Sequence, residues 1–214
     1  MKVCGLRRPE DAAVAIAAGA LYLGVVYAGG PRRVDDAGAR AIVQAAGERP
    51  VLAVWGPPEA GPILRSRDAA GFRGVQLHGG GDVALARALR AEGLLVWRVA
   101  RIAEAADLAG IEELTAEAHA VLLEPRVAGV PGGAGVPLAL ELAQAAVERL
   151  RRAAPAVPVA LAGGLRPGSV GAAIRAVRPD IVDVSSGVEI SPGVKDPILL
   201  RRFLERSLGD HPSP

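Results

Sequence analysis

Leu161-Ala162-Gly163-Gly164-Leu165, followed about twenty residues later by Asp183-Val184-Ser185-Ser186-Gly187-Val188-Glu189, decides the fold of this chain. Each segment is a short apolar strand that runs into glycines or serines and then into a helical pattern. Glycine lets a backbone approach a ligand closely, and the N–H groups that open a helix present a positive dipole end to an anion. Two such turns in adjacent βα units near the C-terminus match the phosphate site of a (β/α)8 barrel, built from the loops after strands 7 and 8. The reading that follows is a single-domain α/β chain that handles a phosphorylated small molecule.

The rest of the chain agrees. Short apolar segments at 1–4, 20–27, 51–55, 73–77, 94–99, 119–123, 157–161 and 180–184 lack polar alternation, as strands buried on both faces of a parallel sheet do. Between them, segments at 9–18, 35–47, 60–69, 82–92, 103–109, 137–153, 167–177 and 196–207 have helical spacing. Pro9-Glu10-Asp11 suits a first helical turn, and Asp82 and Asp196 suit helix caps. The stretch 103–118 reads either as a helix or as two short turns. Eight βα units fit into 214 residues at roughly 27 residues each. The barrel is expected over 1–208, with 209–214 as a frayed tail. An open doubly wound sheet is the alternative. It calls for a glycine-rich loop after the first strand, whereas that strand ends in Cys4-Gly5-Leu6-Arg7.

Composition excludes several classes. Half of the residues are hydrophobic, too many for a disordered chain. Lys and Arg number 25 against 23 acidic residues, without a basic block or aromatic platform for nucleic acid. A single cysteine excludes an internal disulfide, and no set of residues with metal-ligand spacing occurs. No uncharged apolar run is long enough for a membrane, and no leader precedes Met1-Lys2-Val3-Cys4, so a cytoplasmic protein is expected.

Chemistry in such a barrel sits at the C-terminal ends of its strands. Those ends deliver Cys4, Tyr27 with Pro31-Arg32-Arg33, Trp55-Gly56, Gln76 with His78, Arg98 with Arg101, Glu124, and finally the two anion turns with Asp183. A thiol, a carboxylate, a guanidinium and an anion cradle thus converge on one mouth. Each has a plainer reading: Cys4 as core, Glu124 paired with Arg126 at the surface, Arg32 solvated, Asp183 as polar packing. Trp55 and Trp97 read as core or rim packing.

Lys2-Val3-Cys4-Gly5-Leu6-Arg7-Arg8-Pro9-Glu10-Asp11-Ala12 resembles the opening motif of the phosphoribosylanthranilate isomerase family. Pro31-Arg32, Val75-Gln76-Leu77-His78-Gly79, Gly132-Gly133-Ala134-Gly135, the two anion turns and Pro192-Gly193-Val194-Lys195-Asp196 resemble further motifs of that family, in family order over almost the whole chain. The resemblance implies a cofactor-free Amadori rearrangement of N-(5-phosphoribosyl)anthranilate to 1-(2-carboxyphenylamino)-1-deoxyribulose 5-phosphate. It implies Cys4 as general base, with a depressed thiol pKa that Arg7 or Lys2 would assist. It implies Arg32, with Arg33 as fallback, as a bidentate clamp on the anthranilate carboxylate. Gly163, Gly164, Ser185, Ser186 and Gly187 would hold the phosphate, and Asp183 a substrate hydroxyl. Family members occur as monomers and homodimers, and one of these states is implied. The acid is an aspartate in the family pattern, and this sequence has Glu124. A longer arm matters, because a displacement of about 1 Å can cost on the order of a hundredfold in rate. Either the site has adjusted to glutamate or the activity has drifted. Drift leaves an isomerase for another phosphorylated aminosugar or modified anthranilate, or a non-catalytic phosphometabolite-binding barrel. The glycines of the loop after strand 6 (Gly129, Gly132, Gly133, Gly135) suit either a moving lid or a static loop.

Overall fold

The computed structural model describes residues 1–127 and 135–209. Gly129, Pro131 and most of the Gly132–Gly135 motif, and the tail from Asp210 on, lie outside the described residues. Eight parallel strands close in sequence order into a barrel. They are β1 (Lys2–Val3), β2 (Tyr22–Val26), β3 (Val51–Trp55), β4 (Gly74–Leu77), β5 (Leu95–Ile102), β6 (Ala120–Pro125), β7 (Val159–Leu161) and β8 (Ile181–Val184). Ring closure is explicit in the register: Lys2 pairs with Tyr22 on one side and Asp183 on the other.

Helices α1 (Pro9–Ala17), α2 (Asp36–Ala46), α3 (Ala60–Ala70), α4 (Val83–Ala91), α5 (Leu140–Ala153), α6 (Val170–Val177) and α7 (Pro197–Gly209) follow the other strands. Their starts are chemically marked. The Asp82 carboxylate accepts from Leu85 N–H at 2.8 Å, and Asp196 accepts from Ile198 and Leu199. Such caps satisfy N–H groups that a helix leaves without internal partners. The fifth unit has no α-helix. It forms two 3-10 turns, Ala105–Leu108 and Ile111–Thr115, separated by Gly110 at φ +70°. The Asp107 carboxylate accepts from Ala103 and Glu104 N–H, which fixes the first turn locally.

The region after β8 departs from the sequence reading. Instead of passing into a long helix, Ser185 leads into one 3-10 turn, Ser186–Val188, and then a small antiparallel hairpin, β9 (Glu189–Ser191) and β10 (Val194–Lys195). Pro192-Gly193 makes its tip, with Gly193 at φ +82°, where a side chain would be strained. Likewise α6 begins six residues beyond Gly164. The anion turns are therefore loops in their own right, and neither opens a long helix directly.

Two apolar clusters result. A large one fills the shell between strands and helices, and a small one fills the barrel interior with Leu52, Trp97, Ala120, Leu122, Ala160, Ala162 and Ile181. Trp97 is the plug of that interior. It packs edge-on against Tyr22, with ring centroids 5.1 Å apart, among alanines that leave it room. Strand alternation places a polar layer near this plug: Lys2, Gln76, His78, Glu124 and Asp183 are all buried.

Candidate active site

A cavity of about 380 Å³ opens at the C-terminal ends of the strands. Cys4, Arg32, Glu124, Asp183, Gly163, Gly164, Ser185, Ser186 and Gly187 all line it, and Gln76, His78 and Arg101 join them. Other strand-end residues turn elsewhere. Arg98 donates to the Glu113 and Gly81 carbonyls, because it has opposite parity to Arg101 on β5. Tyr27 and Trp55 stack on each other 4.8 Å apart, and neither they nor Arg33 line the cavity.

Cys4 follows β1 directly, and its N–H donates to Val184 O at 2.9 Å, so the barrel seam fixes its backbone. Gly24 faces it across β2, where a Cβ would stand 2.7 Å from Sγ. The thiol is not depressed as the sequence reading required. Burial pushes it up, and Lys2 pulls it back only in part. Arg7 plays no part in this balance: its Nη1 donates to the Pro31 carbonyl at 3.3 Å.

Glu124 sits near the end of β6 with its side chain 10% exposed. Burial raises its carboxyl to about 7, with Asp183 adding to the rise and Arg101 opposing it. Oε1 lies 3.2 Å from Arg101 Nε and 3.3 Å from His78 Nε2. Arg101 at the end of β5 and His78 just past β4 thus both stand within ion-pair distance of one carboxylate oxygen. The surface pairing with Arg126 does not form: Arg126 instead donates to Asp107 at 2.7 Å.

Arg32 lies over Gly5, whose φ of +72° and missing side chain make room; a Cβ there would meet Arg32 Cδ at 2.6 Å. Its Nε and Nη2 already engage Glu189, at 2.9 and 2.7 Å. A substrate carboxylate is thus left the Nη1/Nη2 edge. Glu189 also accepts from the buried Lys195 Nζ at 2.7 Å. Two cations share one anion here, so the cluster keeps a net positive charge. Glu189 and Lys195 escaped the sequence reading, although both lie in quoted motifs. Replacing Glu189 by Gln strands a buried ammonium, which costs about 3 kcal/mol. The expected result is a Tm lower by about 6–12 °C for a chain of this size, read by calorimetry.

The two anion turns touch. A Cβ on Gly187 would collide with the Leu165 carbonyl, and one on Gly164 would stand 2.6 Å from Pro137 N. Gly163 and Gly164 have φ of +99° and +61°. Glycine is required here by packing as well as by dihedral angle.

Residues 1–206 match the family model for N-(5'phosphoribosyl)anthranilate (PRA) isomerase. The chain belongs to the phosphoribosylanthranilate isomerase family. It is 37% identical to the N-(5'-phosphoribosyl)anthranilate isomerase of Rhodopseudomonas palustris (strain HaA2), covering 95% of this chain and 93% of that one. It is 39% identical to that of Rubrobacter xylanophilus, over 95% and 96%. Among solved structures, the Thermotoga maritima phosphoribosyl anthranilate isomerase superposes with a TM-score of 0.84 at 30% identity, covering 97% of this chain and 98% of that one. Another family structure, in complex with reduced 1-(o-carboxyphenylamino)-1-deoxyribulose 5-phosphate, gives 0.82 at 29% identity, with 97% of each chain covered. The family's barrel is thus the architecture of this chain, and the open doubly wound sheet is excluded.

Proposed function

We propose that this chain catalyses the Amadori rearrangement of N-(5-phosphoribosyl)anthranilate to 1-(2-carboxyphenylamino)-1-deoxyribulose 5-phosphate. The observation that carries the assignment of roles is the single cavity shared by Cys4, Glu124, Arg32 and both glycine-serine turns. Glu124, with a carboxyl near 7, donates its proton to the furanose ring oxygen. The C1–O bond breaks as the nitrogen lone pair forms the C1=N Schiff base. Cys4 then takes the C2 proton, and the C–H electrons become the C1=C2 bond of an enolamine. The enolamine tautomerises to the ketone. An acid and a base positioned in this way each contribute on the order of 10²–10⁴ in rate.

Arg32 holds the anthranilate carboxylate by its Nη1/Nη2 edge, with Glu189 and Lys195 fixing the guanidinium. Gly163, Gly164, Ser185, Ser186 and Gly187 hold the 5-phosphate. Asp183 is buried, and its Oδ1 has no hydrogen-bond partner among the described residues, which suits it to a ribose hydroxyl. No helix among the described residues is long and apolar enough to cross a membrane. We place the enzyme in the cytoplasm, as a monomer or homodimer.

The test is loss of phosphoribosylanthranilate fluorescence on addition of purified protein. Turnover that anthranilate analogues inhibit is the expected result. Thermal stabilisation by sugar phosphates with no turnover would instead make the chain a binding barrel.

A further inference from the structure

Lys2 is a fully buried ammonium inside the barrel. It stands two residues before Cys4, so strand alternation turns both side chains inward. An ammonium has three N–H donors. One reaches Asp183 Oδ2 at 2.7 Å and a second reaches Gln76 Oε1 at 2.9 Å. Cys4 lines the same cavity as Gln76 and Asp183, the two groups that hold Lys2, and the charge of the ammonium acts on its sulfur. The Trp97 ring, 5.7 Å from Nζ, covers another side.

A structural ion pair does not account for this arrangement. Burying two charges costs several kcal/mol each, and apolar residues of similar volume would often fill the space at least as well. Asp183 also leaves Oδ1 without a hydrogen-bond partner among the described residues. We propose that Lys2 is a positioning residue of the reaction, the fixed counter-ion that eases ionisation of the Cys4 sulfur against the cost of its burial. The proposal rests on reading Cys4 as the base. Other charges reach the sulfur as well: Asp183 from β8, Lys195 from β10 and Arg32 from the loop after β2. Glu124 on β6 shares the cavity. Lys195 and Arg32 are both bound to Glu189, and Asp183 acts in the opposite sense. Lys2, although itself paired with Asp183, is the largest attraction on the sulfur.

One cysteine in the chain makes the test clean. Ultraviolet thiolate absorbance of the folded protein, with Cys4→Ser as baseline, titrates this sulfur alone. In Lys2→Met the thiolate forms about one pH unit or more higher. At neutral pH kcat falls by about tenfold or more while KM changes little. Because that variant strands Asp183, the decisive comparison is Asp183→Asn against Lys2→Met/Asp183→Asn, which removes both charges. The double variant is expected to titrate at clearly higher pH than the single one. Coincident titrations would overturn the proposal. The titration needs no substrate, so it reports on Lys2 even if phosphoribosylanthranilate is not turned over, a failure that would count against the proposed function alone.

Discussion

Glu124→Ala is expected to lower kcat by on the order of 10²–10⁴-fold with little change in KM, because the proton it supplies is used in the transition state. The informative companion is Glu124→Asp, which restores the family's acid on a shorter arm. If the chain carried an impaired ancestral site, the shorter residue would recover activity. The geometry argues for the opposite. Oε1 stands 3.2 Å from Arg101 Nε at the end of β5 and 3.3 Å from His78 Nε2 just past β4. Both contacts meet a carboxyl that stands one bond further from the backbone than an aspartate places it. Retracting it breaks both and displaces the acid by about 1 Å or more, a change that can cost on the order of a hundredfold. We therefore expect Glu124→Asp to lose kcat as well, by roughly 10–100-fold. Steady-state kinetics decides the matter: a Glu124→Asp variant as fast as the parent chain would show that the site was not rebuilt around glutamate.

The strands and their order were legible because a parallel barrel needs unbroken apolar segments at short, regular intervals, and this sequence supplies them. The candidate residues were legible because they stand at strand ends, where only a few side chains face the mouth. What local pattern could not supply was partnership. Lys2 and Asp183 are 181 residues apart in sequence, and only ring closure makes them a pair. Arg32 and Glu189 meet across 157 residues, so nothing local in the sequence shows that one edge of the guanidinium is occupied. The thiol was expected to be depressed because cations stand nearby, yet burial outweighs them. Arg98 and Arg101 were separable in principle by strand parity, since Trp97 and Arg101 share the inward face. The hairpin after β8 was signalled by Pro192-Gly193, a turn pair whose meaning was hidden within a motif read as a whole.

The acid and the base titrate in the reverse of their usual order, and this makes the pH profile the strongest test of their roles. The reactive form needs Glu124 protonated and Cys4 ionised. Glu124 titrates at about 7, while burial puts the thiol above the ordinary thiol range. Between the two, the protonated fraction of Glu124 falls tenfold per pH unit as the thiolate fraction rises tenfold, so kcat/KM is flat. Below about 7 the acid is saturated and the thiolate continues to fall, so activity drops. Above the thiol midpoint the sulfur is saturated and the acid continues to fall, so activity drops again. The acid limb thus reports Glu124 and the alkaline limb Cys4, as macroscopic values of a coupled pair. Cys4→Ser removes the ionisable base and is expected to lower kcat by on the order of 10²–10⁴-fold. Its residual activity should be flat below about pH 7 and fall above it, following protonated Glu124 alone. Glu124→Gln should do the reverse, rising with pH through neutrality without a break near 7. If both variants kept the bell shape of the parent, neither residue would hold the role assigned to it. Opposite slopes at neutral pH are what one sulfur and one carboxyl acting on the same sugar require.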